Sequence, residues 1–180
     1  FEREMIGPVT RKAAQHHIGP PCPYVACLVA DGDRMGKALD DVRDESGHHA
    51  LSARLAKFAQ KAGEIVERRH RGMLIYAGGD DVLAFVCVED AVACAKALAE
   101  AFSHEMGRGF SLSVGLGMGH VLESMGDLLG LGRKAEQVAK KQRNSLAIVV
   151  DKRSGGESCW TTTWSEDPQH ILNECMGLLG

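Results

Sequence analysis

The stretch that decides the fold is Leu74-Ile75-Tyr76-Ala77-Gly78-Gly79-Asp80-Asp81-Val82-Leu83-Ala84-Phe85. Two apolar runs, Met73 to Ala77 and Val82 to Val88, flank a glycine-rich turn, the pattern of a β-hairpin. Glycine and aspartate are common turn residues, so the plain reading of the tetrapeptide is a surface turn. The flanks argue for more. They read as buried strands, yet the turn carries two adjacent carboxylates, which repel and raise each other's pKa unless a cation intervenes. Magnesium and manganese resolve that conflict: they take hard oxygen ligands and keep waters for substrate phosphates. Two such ions ~3.5–4 Å apart activate an attacking hydroxyl and stabilise a leaving pyrophosphate. Gly78 and Gly79, having no side chains, let backbone N–H groups approach phosphate oxygens.

Working outward, Tyr24 to Ala30 (YVACLVA) is an almost wholly apolar run, read as a strand buried on both faces. It ends at Asp31-Gly32-Asp33. Asp31 follows directly on the strand and reads as a metal ligand; Asp33 reads as a brace for the loop. A helical segment is expected from Arg34, fading before Ser46-Gly47. The clearest helix has Leu51, Leu55, Phe58, Ala62, Ile65 and Val66 at helical spacing and stops at Gly72. A second amphipathic helix runs from Glu89 to Met106. Phe110 to Met118 alternates apolar and small residues as a strand does, 124–142 is helical, and Leu146 to Val150 is another buried strand. Thr161 to Trp164 reads as an edge strand and Pro168 to Leu179 as a helix. This order predicts an α/β (α+β) domain over 24–164, with helices packed on one face of a mostly antiparallel sheet. With the first strand beside the hairpin at its centre, Asp31 and Asp80-Asp81 meet at one end of the sheet.

Residues 1–23, with Pro8, Pro20, Pro21 and Pro23, read as an N-terminal segment and linker. Residues 165–180 read as the start of a truncated helical region, and the opening at Phe1 suggests a piece of a larger protein. The 180 residues, 44% hydrophobic and 25% charged, fit one globular domain able to bury a core without disulfides. A net charge of -3 disfavours direct nucleic-acid binding over a long surface, while a small anion arriving with its own cations remains allowed. Cys22, Cys27, Cys87, Cys94, Cys159 and Cys175 form no C-x-x-C pair, which argues against a zinc cage and suits a reducing cytoplasm. No apolar run approaches the ~20 residues of a membrane span, and no signal peptide is visible.

Two long stretches, Val29-Ala30-Asp31-Gly32-Asp33-Arg34-Met35-Gly36-Lys37 and Leu74 to Phe85, resemble the second palm domain of the large subunit of type III CRISPR effector complexes, nearest the type III-B branch. Ser113-Val114-Gly115, Ala139-Lys140-Lys141, Arg143-Asn144 and Arg153-Ser154-Gly155 corroborate it, and the matches span roughly residues 24 to 164. The resemblance implies a ferredoxin-like palm, shared with diguanylate cyclases and class III nucleotide cyclases. In that family the palm pairs with a second palm and joins ATP into 3′-5′-linked cyclic oligoadenylates, antiviral second messengers, when target RNA is bound. It implies that Asp31, the Gly32 carbonyl, Asp80 and Asp81 hold two Mg2+ or Mn2+ ions and form the catalytic set. Ser113 then lies near the adenine and Lys140 and Arg143 meet the triphosphate, with Gly78, Gly79, Asp33 and Gly36 in the nucleotide-binding set. The expected partners are ATP, the second palm and the remaining subunits of an RNA-guided complex. The chain departs from the full subunit in having no His followed by Asp, so the family's nuclease centre is not in it. The other palm, the zinc-binding segment and the C-terminal helical domain are also missing.

Two alternatives stay open. A diguanylate cyclase carries Gly-Gly-Asp/Glu-Glu-Phe, where this chain has Asp81 and Val82. Aligning Gly47-His48 with that family's Gly-His pair puts Arg43 and Ser52 at the guanine-reading positions, and Ser52 is a poor acceptor for the N1–H and N2–H donors of guanine. The inhibitory Arg-x-x-Asp is lacking, since Gly72 stands three positions after Arg69. The other alternative is a palm that binds nucleotide and assembles without turnover. His16-His17 and His48-His49 read as solvated loop residues, His120 as a structural histidine, Lys37 as a residue near the Asp31 loop, and Trp160 and Trp164 as packing residues.

Overall fold

The computed structural model describes residues 22–152 and 155–171. The expected linker up to residue 21, His16-His17, Arg153-Ser154 and the chain from residue 172, with Cys175, lie outside the described residues.

The YVACLVADG run forms β1 (Tyr24–Gly32). The hairpin forms β2 (Gly72–Gly78) and β3 (Asp81–Cys87). With β4 (Leu112–His120), β5 (Ser145–Asp151) and β6 (Glu157–Thr163) they build one sheet in the order β2-β3-β1-β4-β5-β6. All pairings are antiparallel except β4 with β5. A parallel pair needs a crossover, and the intervening helix supplies it. The helices are α1 (Met35–Asp40), α2 (Glu45–Glu64), α3 (Val88–Met106) and α4 (Met125–Gln142). The mixed α/β class, the antiparallel bias and the central place of β1 agree with the sequence reading.

The helix seen in the sequence from Leu51 starts earlier, at Glu45, because the Asp44 side chain caps it: its Oδ1 accepts from the Gly47 N–H at 2.8 Å. His48 and His49 therefore stand on the first turns of α2, not in a loop, and both are exposed. The helix closes in a π-helical turn, Ile65–Arg69.

Alternate side chains of a strand point to opposite faces. Ala26, Leu28 and Ala30 of β1 face one way and join Phe58 of α2 and Phe102 of α3 in the main core. Those two rings meet edge to face at 4.9 Å, and burying each contributes roughly 1.5–3 kcal/mol relative to exposure. Cys27 and Val29 face the other way, onto α4. A Cβ on Gly132 of that helix would fall 2.9 Å from both Cys27 Sγ and Val29 Cγ2. One on Gly115 of β4 would fall 2.0 Å from Glu136 N, and one on Gly117 would fall 2.2 Å from Gly132 N. The helix thus lies directly on the backbone of β4. The placement of all helices on one face is corrected: α2 and α3 cover one side and α4 the other. A strand that is apolar on both faces needs two covers, and the small residues of β4 make room for the second.

Candidate functional site

The register brings the acidic residues together. The last β1–β3 pair is Ala30 with Val82, so Asp31 and Gly32 run on past it toward the hairpin tip. There Gly78 pairs with Asp81 and the turn is Gly79-Asp80. Gly79 takes φ 64°, a left-handed value that costs glycine nothing. A Cβ on Gly32 would fall 2.7 Å from Asp80 Cβ and 2.8 Å from Phe102 Cζ, so the Asp31 loop packs tightly on the tip.

Burial, followed by the Asp31 charge, pushes the Asp80 carboxyl above its ordinary range. Burial, then the charges of Asp80 and Asp31, does the same to Asp81. Among the described residues no three His, Cys, Asp or Glu side chains are gathered as a ready metal cage. The three carboxylates feel one another without being drawn into one. The cation among them is the Lys140 ammonium, which forms an ion pair with Asp31 Oδ2 and donates to the Gly32 carbonyl at 2.7 Å.

Asp33 is turned inward and is only 4% exposed. Its carboxylate accepts from Ser111 Oγ at 2.6 Å, Ser113 Oγ at 2.7 Å and the Asn144 N–H at 2.8 Å. It thus ties the end of β1 to the start of β4 and to the turn after α4, where Arg143 and Asn144 take φ 60° and 46°. This is the brace that its position in the loop suggested. Ser113, which the resemblance placed near the adenine, has a different neighbour here: it is fully buried and its hydroxyl holds Asp33. Ser113 pairs with Asp31 near the end of the β1–β4 ladder and lies on the opposite face of β4 from Leu112 and Val114, which join the main core.

Gly36 lies exposed on α1, where a Cβ would meet nothing. Arg143 is exposed at the end of α4. Gly78 sits against Tyr76, whose hydroxyl would clash with any Cβ there. A cleft of about 290 Å³ opens beside the Asp31 loop, lined by Asp33, Arg34, Lys37, Ala38, Asp41, Gly109 and Phe110. His120 lies at the far end of β4, buried and edge-on to Tyr24 at 5.5 Å, in the structural role expected of it. Trp164 Nε1 donates to the Leu112 carbonyl at 2.9 Å, and Trp160 packs against the core.

The sequence reading missed Glu136. It is half-buried on α4, one helical turn before Lys140. Burial, then the Asp31 charge, pushes its carboxyl up, while Lys140 pulls the other way. The signal available in the sequence was the Glu-x-x-x-Lys spacing on a helix that faces the glycines of β4.

With this geometry in place, comparison with known proteins is decisive. The family described as Cas10/Cmr2, second palm domain, matches residues 24–147. The chain belongs to this family. The palm is 35% identical, over 79% of its length, to the CRISPR system Cmr subunit Cmr2 of Pyrococcus furiosus. It is 26% identical, over 86% of its length, to the CRISPR system single-strand-specific deoxyribonuclease Cas10/Csm1 (subtype III-A) of Enterococcus italicus. The chain spans about a fifth of the length of each, 20% in both cases. Crystal structures of Csm1–Csm4 cassettes in complex with AMPPNP and with cA4 superpose with TM-scores of 0.66 and 0.62, at 21% and 18% identity. The matches cover 79% and 76% of this chain and 23% of each of theirs. They share the fold of this palm, and its relatives belong to type III CRISPR systems. Among the described residues no helix is long and apolar enough to cross a membrane.

Proposed function

We propose that this palm binds ATP with two divalent metal ions, magnesium or manganese. Paired with another palm in a type III CRISPR complex, it joins ATP into 3′-5′-linked cyclic oligoadenylates for antiviral defence. The observation that carries this reading is the meeting of Asp31, Asp80 and Asp81 at one end of the sheet, with the carboxyls of Asp80 and Asp81 pushed above their ordinary range by burial and by their neighbours' charge. The related cassettes bound to AMPPNP and to cA4 support the choice of nucleotide and product.

The donor set fits the ions. Asp31, Asp80, Asp81 and the Gly32 carbonyl would hold them: all offer hard oxygens, and a divalent cation relieves the repulsion that raises Asp80 and Asp81. When bound, the ions activate the attacking 3′-hydroxyl and stabilise charge on the transferred α-phosphoryl group and the leaving pyrophosphate. The chain's own residues bind and orient. Lys140 and Arg143, at the end of α4, meet the triphosphate. Gly79, with open space about it, leaves the hairpin tip bare for phosphate oxygens, and Gly78 adjoins it beneath the Tyr76 hydroxyl. Asp33 and Ser113 act at one remove by fixing the loop that carries Asp31. Gly36 lies on α1, beside the cleft of about 290 Å³ that offers room for a nucleoside.

Calorimetric titration with ATP and with GTP in manganese tests the reading, on the parent and on Asp80→Ala/Asp81→Ala. Metal-dependent ATP binding, weak GTP binding and loss in the double variant are expected, and turnover with the partner palm follows. A preference for GTP would favour a diguanylate-cyclase-like enzyme. Binding of neither nucleotide would favour a palm that serves assembly.

A further inference from the structure

We propose that Glu136 is a positioning residue for Lys140: it receives the Lys140 ammonium when Asp31 and the Gly32 carbonyl take up a divalent cation. The inference rests on the metal reading above and adds a movement to it. In the structure the ammonium contacts both Asp31 Oδ2 and the Gly32 carbonyl oxygen. Those two atoms are metal donors in the proposed site. A divalent cation and an ammonium cannot share them, because like charges in contact repel in a partly buried setting. One cation must replace the other. Lysine is suited to leave, since its charge rides on a flexible four-carbon stem.

The surroundings narrow where it goes. Asp33 lies 3.8 Å from the ammonium, but its carboxylate already accepts three hydrogen bonds. Asp80 and Asp81 face the incoming cation. Glu136 remains. It stands at i−4 from Lys140, so the two side chains share one face of α4, and a glutamate N-terminal to a lysine at this spacing is the favoured order. The Glu136 carboxylate makes no hydrogen bond or ion pair with the described residues. Its backbone is pressed against Gly115 of β4, which fixes where the carboxylate is presented. Lys140 is thus held between two carboxylates: Asp31 in the absence of metal and Glu136 in its presence. The second position keeps the ammonium beside the site, free to meet the triphosphate.

Mn2+ binding to the whole 180-residue chain, read from the electron paramagnetic resonance of the free ion without nucleotide, tests this on four proteins. These are the parent, Lys140→Met, Glu136→Gln and the double variant, with circular dichroism melts to check folding. Removing the competing ammonium is expected to tighten Mn2+ binding roughly fivefold. Removing its alternative partner should weaken binding by a similar factor, and the Glu136→Gln effect should largely vanish when Lys140 is already Met. An equal Glu136→Gln loss in both backgrounds would mean that Glu136 only adds background charge, and the proposal falls. So it does if Lys140→Met binds no tighter than the parent. If no variant binds Mn2+, the metal reading falls and takes this one with it. If the parent binds and Asp80→Ala/Asp81→Ala does not, the metal reading stands and the four-protein comparison alone decides.

Discussion

At the open end of the β2–β3 hairpin, Arg71 donates to both carboxylate oxygens of Asp90, at 2.8 and 2.9 Å, and its backbone N–H adds a third bond at 2.9 Å. These bonds hold the Asp90 carboxyl down at about 2. At the tip of the same hairpin, Asp80 and Asp81 face Asp31 across a site with Lys140 as its cation, and both carboxyls are pushed up instead. One residue type meets opposite fates within one supersecondary unit. A carboxylate that serves the fold is matched by the fold's own donors. On the metal reading proposed above, a carboxylate kept for a ligand is left short of positive charge, at a cost to the stability of the metal-free chain.

The largest effect that separates the two ends is on nucleotide binding. Asp80→Ala/Asp81→Ala is expected to weaken manganese-dependent ATP binding by ~100-fold or more, since even outer residues of metal sites cost 10–100-fold. Asp90→Ala should leave it unchanged. Calorimetry on both variants checks this, and an equal loss in Asp90→Ala would erase the distinction between the ends.

Next in size is the support behind the tip. Gly117→Val places a side chain where α4 runs over β4, against the Gly132 backbone. Backbone cannot give way as a flexible side chain does, so a destabilisation of about 3 kcal/mol, the upper end for overpacking, is expected in urea denaturation. Because α4 carries Lys140 and Glu136, ATP binding should weaken too, while the Arg71–Asp90 end stays intact. Stability lost without any change in binding would show that α4 does not position the site.

The two ends also differ in how much of them the sequence disclosed. The hairpin, β1 and the approach of Asp31 to Asp80-Asp81 were legible because each rests on local pattern: apolar runs, a glycine turn, a carboxylate directly after a strand. The second cover on the sheet was not, although its trace was present. Gly115, Gly117 and Gly119 repeat at period two, and only the helix that lies on them gives that repeat its meaning. Ser113 holding Asp33 and the left-handed Asn144 aiming its N–H at the same carboxylate depend on three segments far apart in the chain. Glu136 was hidden for the same reason: its role depends on what α4 faces. At the open end, Arg71 and Asp90 are 19 positions apart, on a strand approach and a helix start, and no spacing rule pairs them.

A smaller effect concerns pH at the open end. The folded Asp90 carboxyl stands at about 2 against an ordinary 3.8. A depressed carboxyl contributes stability above the unfolded value and loses it as pH falls through the folded one. Arg71 is largely exposed, so screening keeps the contribution of the pair small. Asp90→Asn should lose that contribution near neutral pH, and the gap to the parent should close as pH falls from about 4 to about 2. A gap that persists at low pH would assign the stabilisation to packing and neutral hydrogen bonding.

The smallest effect is also the one whose sign distinguishes the ends most sharply. The Asp80 carboxyl is raised in the folded state, by burial first and then by Asp31. A raised carboxyl holds its proton more tightly folded than unfolded, so stability falls as pH rises from the unfolded value through the folded one. The ionised form of Asp80 therefore opposes folding. Asp80→Asn removes the charge while keeping the shape, and should stabilise the metal-free chain by under ~1 kcal/mol, the opposite of Asp90→Asn. Thermal melts in chelator read this difference directly. Adding manganese should raise the melting temperature of the parent through binding to the folded state and raise that of Asp80→Asn less, so that the order of the two reverses. If Asp80→Asn instead destabilised the metal-free chain, Asp80 would be a structural carboxylate like Asp90, and the tip of the hairpin would hold no charge in reserve for a ligand.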